Sequence, residues 1–451
     1  MSIWTVQQVC IRGLFGELDH SFTLDSETDS AIVIGPNGVG KTKLLRLIKA
    51  LINLEISTLL SEPYDELVIT FRGGEKLSCR RESNSYVINS ILVCLRMDNR
   101  TVEWHFTSKD FNRFEEWASK ELPLNRKREA GSKKWRLPSR FVTTDQLINY
   151  VLTEAGSAEL GKEIGLEPML IKIFLGDESA MIVGADRLAG MNGVSNPIEF
   201  MVDAHGANGD GGITTFIRRE FDAARLEYLK VSQTLDSSFP GRLLEDSDGG
   251  DIQIFGSEKE LREVYDSLRE MFQETTGNVG IDEMEMAPLP ERQLERWEVR
   301  VLNLHVRDGL EKISALRNLS RRIEVFENLV NSKLVRSKIA VKPNGLFLEF
   351  GDGSLEPPLE SNLSSGERHQ IQMAFDLVFR SRGKQLVLVD EPELSLHVNW
   401  QTQILDEFQS LRELNDFQYV VATHSPEIIG EAWGAVRPLT FGSDRGSQNG
   451  H

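Results

Sequence analysis

The stretch Gly35-Pro36-Asn37-Gly38-Val39-Gly40-Lys41-Thr42 decides the fold. It fits G-x-x-x-x-G-K-S/T, the phosphate-cradling loop that joins a strand to a helix. Both flanks supply that context. Upstream, Ala31 to Ile34 is an apolar run of the kind a parallel sheet buries. Downstream, from Thr42 to Leu54, Leu44, Leu45, Leu47, Ile48 and Leu51 recur at helical spacing. The glycines let backbone N–H groups turn inward onto phosphate oxygens, and the helix N-terminus adds the positive end of its dipole. Lys41 then reaches the β- and γ-phosphates, and Thr42 is a ligand for Mg²⁺. Residues 35–42 are the expected nucleotide-binding set, with ATP as substrate and Mg²⁺ as cofactor.

Three later stretches complete the chemistry. In Leu386-Val387-Leu388-Val389-Asp390-Glu391-Pro392 an apolar strand delivers two adjacent carboxylates to its end. Asp390 suits the Mg²⁺ shell, and Glu391 suits a general base acting on the attacking water. Leu363-Ser364-Ser365-Gly366-Glu367 opens a helix before that strand and reads as L-S-x-G-E, the signature loop of ATP-binding-cassette (ABC) ATPases. Such a loop is a second phosphate site. The Ser365 hydroxyl, the Gly366 backbone and the helix N-terminus meet the γ-phosphate held by another protomer. Ser364, Ser365, Gly366 and Glu367 are therefore expected to act in trans. Thr423-His424-Ser425-Pro426 places a histidine at a strand end, where it can hydrogen-bond the γ-phosphate.

Composition narrows the setting. The chain has 451 residues, 27% charged and 40% hydrophobic, enough for two domains or for one domain with an insertion. No apolar run approaches the ~18 residues of a membrane span, and no secretory signal is visible. Cys10, Cys79 and Cys94 lack C-x-x-C spacing, which excludes a zinc ribbon and fits a reducing cytoplasm. The net charge of −18 argues against a surface that is basic throughout. One island departs from it. Lys120 to Arg140 holds eight Lys/Arg against two Glu. It is either a solvated loop or a docking surface for nucleic acid or an acidic protein.

The pattern along the chain divides it. Residues 1–195 read as an N-terminal ATPase lobe with the P-loop and the basic island. Within it, Trp4 to Ile11, Ser21 to Leu24, Glu66 to Phe71, Val87 to Arg96 and Ala180 to Gly184 read as strands. Lys109 to Lys120, Thr144 to Ala155 and Glu167 to Leu175 read as helices. Residues 196–335 read as a helical insertion, with runs at Phe216 to Thr234, Glu258 to Thr275 and Pro290 to Val335, too short for a long coiled-coil arm. Residues 336–440 read as a C-terminal ATPase lobe, with strands at Ile339 to Phe350, Gln385 to Val389 and Gln418 to Ala422 and a helix from Val398 to Leu414. Residues 441–451 read as a polar tail. The expected fold is an α/β ABC-type ATPase head, with a mixed β-sheet and a P-loop, interrupted by a helical insertion domain.

Four motifs in this order resemble the ABC-type heads of the SMC and Rad-fifty kind, over Met1 to about Leu60 and about Ile339 to Leu439. Asp390 to His397 (DEPELSLH), then Trp400-Gln401 and THSPEII, is similar to the OLD-like ATPases of bacterial anti-phage systems. The resemblance implies Glu391 and His424 as catalytic residues, a D-loop region at Glu393, Ser395 and His397, and Arg12 beside the nucleotide. The usual Q-loop glutamine has no clear match. In MIVGADRL (Met181 to Leu188), Asp186 stands in its place as a Mg²⁺ ligand.

The length, the single head, the short insertion and the absence of a nuclease domain after His424 look most like the AriA-type ATPases of PARIS systems. PtuA-type ATPases of Septu, which work with an HNH nuclease, come second. That resemblance implies a cytoplasmic homodimer or larger homo-oligomer that hydrolyses ATP, has no nuclease domain of its own and holds a separate toxic nuclease. It implies release of that nuclease on detection of a phage anti-restriction protein. An acidic trigger of this kind could dock on Lys133, Lys134 and Arg136 of the basic island. The competing expectation is a Rad-fifty-like repair ATPase that binds DNA. No membrane partner is expected.

Overall fold

The structure, a computed structural model, describes residues 4–84, 87–98, 100–107, 109, 110, 112, 114, 116, 134–136, 141–143, 167–176, 179–184, 212–245, 257–279, 286–358, 362–381, 383–394, 396 and 398–440. The chain divides into two compact units: residues 1–195, 207–210 and 364–451, and residues 196–206 and 211–363.

In the first unit, two apolar patterns build two kinds of sheet. Alternating segments form β1 (Val6–Leu14) and β2 (Leu18–Thr23), whereas the continuous apolar run Ser30–Ile34 forms β3. Helix α1 (Lys41–Asn53) follows the P-loop, and α2 (Ile56–Ser61) follows α1. β4 (Glu66–Phe71), β5 (Lys76–Asn84), β6 (Val87–Met97) and β7 (Arg100–Thr107) then complete an antiparallel sheet of order β2-β1-β4-β5-β6-β7. One face of this sheet is buried, through Val9, Ile11, Leu67, Ile69, Leu77, Ile91, Val93, Val102 and Trp104. It shares a core with Leu44, Leu47, Ile48 and Leu51 of α1. The sequence reading anticipated β4 and β6 but not β5 and β7. In both, period-2 apolar residues are interleaved with charged ones such as Arg80 and Glu103, which face the other way. A short pair, β8 (Lys134–Arg136) and β9 (Phe141–Thr143), stands apart from this sheet. Of the expected helices, Thr144 to Ala155 lies outside the described residues, and so does most of Lys109 to Lys120.

The second sheet carries the P-loop. Helix α3 (Glu167–Leu175) leads to β10 (Ala180–Gly184), which lies parallel to β14 (Leu386–Asp390). β15 (Gln418–Thr423) separates β14 from β3, and β16 (Val436–Pro438) closes the order β10-β14-β15-β3-β16. All four pairings are parallel. Asn53 at the end of α1 donates to Ala180 O at 2.7 Å and accepts from Ala180 N at 3.0 Å. That exchange fixes α1 to the start of β10.

The second unit holds three long helices, α4 (Ile213–Glu245), α5 (Glu258–Val279) and α6 (Arg296–Asn331). Leu261, Tyr265, Leu268, Leu302, Val306 and Ile313 form the core between α5 and α6. α4 continues past Pro240, where the sequence reading ended it at Thr234. Its last turn is held by Arg242, which donates to both oxygens of the buried Asp308 on α6 at 2.6 Å. β11 (Lys338–Lys342), β12 (Gly345–Glu349) and β13 (Leu355–Glu356) form a small antiparallel sheet in the same unit. The division therefore falls at 363/364, whereas the sequence reading placed it at 335/336. Asn331 of α6 bonds both N–H and C=O of Ile339, and Glu327 accepts from Val341 N at 2.7 Å. These bonds tie the hairpin to the helices.

The first unit resumes with α7 (Ser365–Phe375), which runs into a π-helix at Asp376–Arg380 before β14. After β14 come α8 (Val398–Gln401) and α9 (Ile404–Asn415), expected as one helix. The break falls where Thr402 bonds back to Asn399 O at 3.1 Å. α10 (Pro426–Ile429) follows β15, with Ser425 as its N-cap and Pro426 in its first turn.

Candidate active site

Parallel strands bring their carboxyl ends to one edge, and the site lies there. In register, Gly184 pairs with Asp390, Asp390 with Ala422, and Ala422 with Val33. The residues that follow these positions therefore emerge side by side: the P-loop after β3, Glu391 after β14 and His424 after β15.

The P-loop is shaped by close approach. A Cβ on Gly35 would stand 2.8 Å from the carbonyl oxygen of Leu439. Gly40 has φ +93° and caps α1 without a side-chain bond, so the first-turn N–H groups of α1 keep their orientation toward an anion. Lys41 is buried and folds back across the loop. Its ammonium donates to Gly35 O at 3.0 Å and contacts Nε2 of His424. Burial pushes the Lys41 pKa below its ordinary value, opposed by the charges of Glu391, Asp390 and Glu393.

Glu391 has φ +47°, a left-handed conformation that a non-glycine residue adopts at a cost. Its N–H donates to Ala422 O at 2.8 Å. Its carboxylate stands 3.8 Å from His424 Nε2. Glu393 accepts from Thr423 Oγ1 at 2.8 Å and from the His424 backbone N–H at 2.7 Å. Glu393 thus holds the end of β15 to the turn after β14.

Three carboxylates around one ammonium leave the cluster short of positive charge. Thr42, in the first turn of α1, adds a hydroxyl oxygen to the Asp390 carboxylate, which ends β14. This donor set fits Mg²⁺.

The signature residues divide by role. Ser364 and Glu367 form a capping box on α7: Glu367 N–H donates to Ser364 Oγ at 3.2 Å, and Ser364 N–H to Glu367 Oε2 at 2.7 Å. Ser365 and Gly366 open the helix. Arg12 lies within β1 and faces Glu66 at 3.2 Å with its side chain 72% exposed, so its partner is a strand neighbour. Asp186, Ser395, His397 and Lys133 lie outside the described residues, as do the side chains of Lys134 and Arg136.

Two contacts were not read from the sequence. His20 on β2, itself buried, donates from Nε2 to Val39 O at 3.0 Å. Gln401 accepts from Ser425 Oγ at 2.6 Å. His20 belongs to no spaced motif; Gln401 and Ser425 lie in the quoted Trp400-Gln401 and THSPEII stretches, but only the tertiary structure shows that they bond.

Parts of this chain resemble known proteins. The family described as "AAA domain, putative AbiEii toxin, Type IV TA system" matches residues 220–430, a stretch that contains Ser365, Asp390, Glu391 and His424. UvrABC system protein A of Oceanobacillus iheyensis is 26% identical over 149 residues, 33% of this chain and 13% of that protein. Its counterpart in Clostridium acetobutylicum is 28% identical over 137 residues, 30% of this chain and 14% of that protein. The chain thus matches a small part of the length of these relatives. Among solved structures, the Smc head bound to the C-winged helix domain of ScpA aligns with a TM-score of 0.36 and 11% identity, over 94% of this chain and 91% of that one. The SMC head domain from Thermotoga maritima aligns with a TM-score of 0.30 and 10% identity, over 96% of this chain and 94% of that one. The P-loop on a parallel sheet, the strand-end carboxylates and the family match over residues 220–430 are those of an ATPase that uses ATP with Mg²⁺.

Proposed function

We propose that two copies of this chain close around ATP and that the closed pair works as a sensor and scaffold in a two-gene anti-phage defence system. The observation that carries the catalytic part is the convergence of Lys41, Glu391 and His424 on one sheet edge.

In this reading Lys41 leaves Gly35 O and His424 for the β- and γ-phosphates. His424, released from Lys41, bonds the γ-phosphate and registers its presence. Glu391 takes a proton from the water that attacks the γ-phosphorus. Thr42 and Asp390 are the residues that would hold Mg²⁺, whose chemistry there is to neutralise charge on the phosphate oxygens. Ser365 and Gly366 of a second copy offer a hydroxyl and helix N-terminal N–H groups to the same γ-phosphate. A surface that works only in trans makes a dimer the smallest competent form.

The defence role is supported by the family description, which joins the ATPase domain to a toxin system. The helical unit, with helices of 33, 22 and 36 residues, is also too short for the long arm of a DNA-bridging ATPase. The chain then holds a separate nuclease and releases it when a phage protein docks, with Lys133, Lys134 and Arg136 as the docking residues.

The test is a pull-down of the Glu391→Gln variant from cells carrying its gene neighbourhood, followed by native mass measurement with ATP. A homo-oligomer with a stoichiometric second protein is expected. A bare dimer retaining nuclease-sensitive DNA would overturn the scaffold role in favour of a DNA-repair ATPase.

A further inference from the structure

We propose that His20 is a positioning residue for ATP binding: its imidazole N–H locks the Val39–Gly40 peptide in the orientation that presents the Gly40 N–H to phosphate. The inference rests on the reading of residues 35–42 as the phosphate loop.

Val39 lies between two left-handed glycines, Gly38 at φ +86° and Gly40 at φ +93°. Rotating the Val39–Gly40 peptide by half a turn would bring Gly40 to a φ of about −90°, which glycine accepts equally well. Gly40 is required here by space, since a Cβ would come 2.6 Å from Leu14 Cδ2. The glycine that the packing demands is therefore indifferent to which way its peptide points. One orientation sends the Gly40 N–H toward the anion and the Val39 C=O away from it. The other presents a carbonyl oxygen to the phosphates, which repels them.

His20 is placed to choose between the two orientations. It sits on β2, is 5% exposed and meets Val39 O at 3.0 Å. A carbonyl only accepts, so the imidazole donates and Nε2 carries the proton. Flipping the peptide would break this bond and leave a buried N–H without its acceptor. Leu14 and Phe15, from the same β1–β2 hairpin, pack on Gly40. The hairpin of the antiparallel sheet thus sets the state of a loop that belongs to the parallel sheet. His20 touches no phosphate itself.

Fluorescent-ATP titration and steady-state kinetics on the full chain test this, with His20→Leu, His20→Phe and His20→Gln beside Lys41→Ala. Loss of the donor is expected to raise both Kd and KM for ATP about ten-fold in the Leu and Phe variants. kcat at saturating ATP should keep more than half its value. His20→Gln, which restores an N–H at similar reach, should recover most of the affinity. Imidazole ¹⁵N shifts of the parent should show the proton on Nε2. Parent-like affinity in both apolar variants would overturn the proposal, as would an Nδ1–H tautomer in the parent. If neither apolar variant folds, the tautomer and His20→Gln decide: an Nδ1 proton, or no recovery of affinity in Gln, overturns it. A parent that binds ATP no better than Lys41→Ala would instead overturn the reading of the loop.

Discussion

Glu391 combines two demands in one residue. Its carboxylate belongs beside His424, and its backbone must turn left-handed to put it there, at φ +47°. The conformation costs an L-residue about 1–2 kcal/mol. Glu391→Gly should therefore lose ATP turnover while melting at or above the parent temperature, a split that calorimetry with an ATPase assay would show. A drop in stability of more than about 1 kcal/mol would contradict the strain argument. The buried histidines make a separate prediction. His20 and His369 are both held below the ordinary value of 6.5, chiefly by burial. A histidine with a lowered folded pKa binds fewer protons folded than unfolded, so stability rises with pH through that window. The melting temperature should fall as pH drops below about 6.5, and His369→Gln should flatten that slope. A pH-independent melting temperature between 7 and about 5 would refute it. Cys79 is simpler. Burial beside Tyr64 pushes its thiol up to about 12, so it should resist alkylation until the chain unfolds, while the half-buried Cys10 reacts. At this scale Lys41, Asp390, Glu391 and His424 were legible because their motifs have fixed spacing. His20 was not, because a buried histidine on an alternating strand looks like any other core residue.

Elements were legible where apolar period and length agreed. α1 and α3 announce themselves by apolar spacing, and β3, β14 and β15 by unbroken apolar runs. β5 and β7 were hidden because one face is charged and solvated. The π-helix after α7 is a tertiary product. Asn415, at the end of α9, donates to Leu377 O, Val378 O and Ser381 Oγ at 3.0, 3.1 and 2.7 Å. Those carbonyls lie in the widened turn, and Asn415 satisfies them from outside. Asn415→Ala should cost about 0.5–1.5 kcal/mol, the net worth of a buried hydrogen bond, because Leu377 O keeps its bond from Ser381 Oγ. Urea unfolding checks this, and an unchanged midpoint would mean that the π-turn holds itself.

For the whole molecule, the sequence showed that an ATPase head is interrupted, because its motifs fall at both ends of the chain. It did not show where the interruption ends, since the strands β11 to β13 resemble those of the head and only their bonds to α6 assign them to the helical unit. The acidic balance bears on partners. If the chain is a protein scaffold, its ATPase rate should change little with plain duplex DNA, whereas a DNA ATPase would be stimulated in a steeply salt-dependent way. The most direct test of the central claim, that the strand-end cluster hydrolyses ATP between two copies, is sedimentation of Glu391→Gln with ATP and Mg²⁺ alongside its hydrolysis rate. A stable ATP-dependent dimer is expected, with turnover reduced at least about a hundredfold. A variant that remains monomeric with ATP, or that hydrolyses it at the parent rate, would contradict the claim.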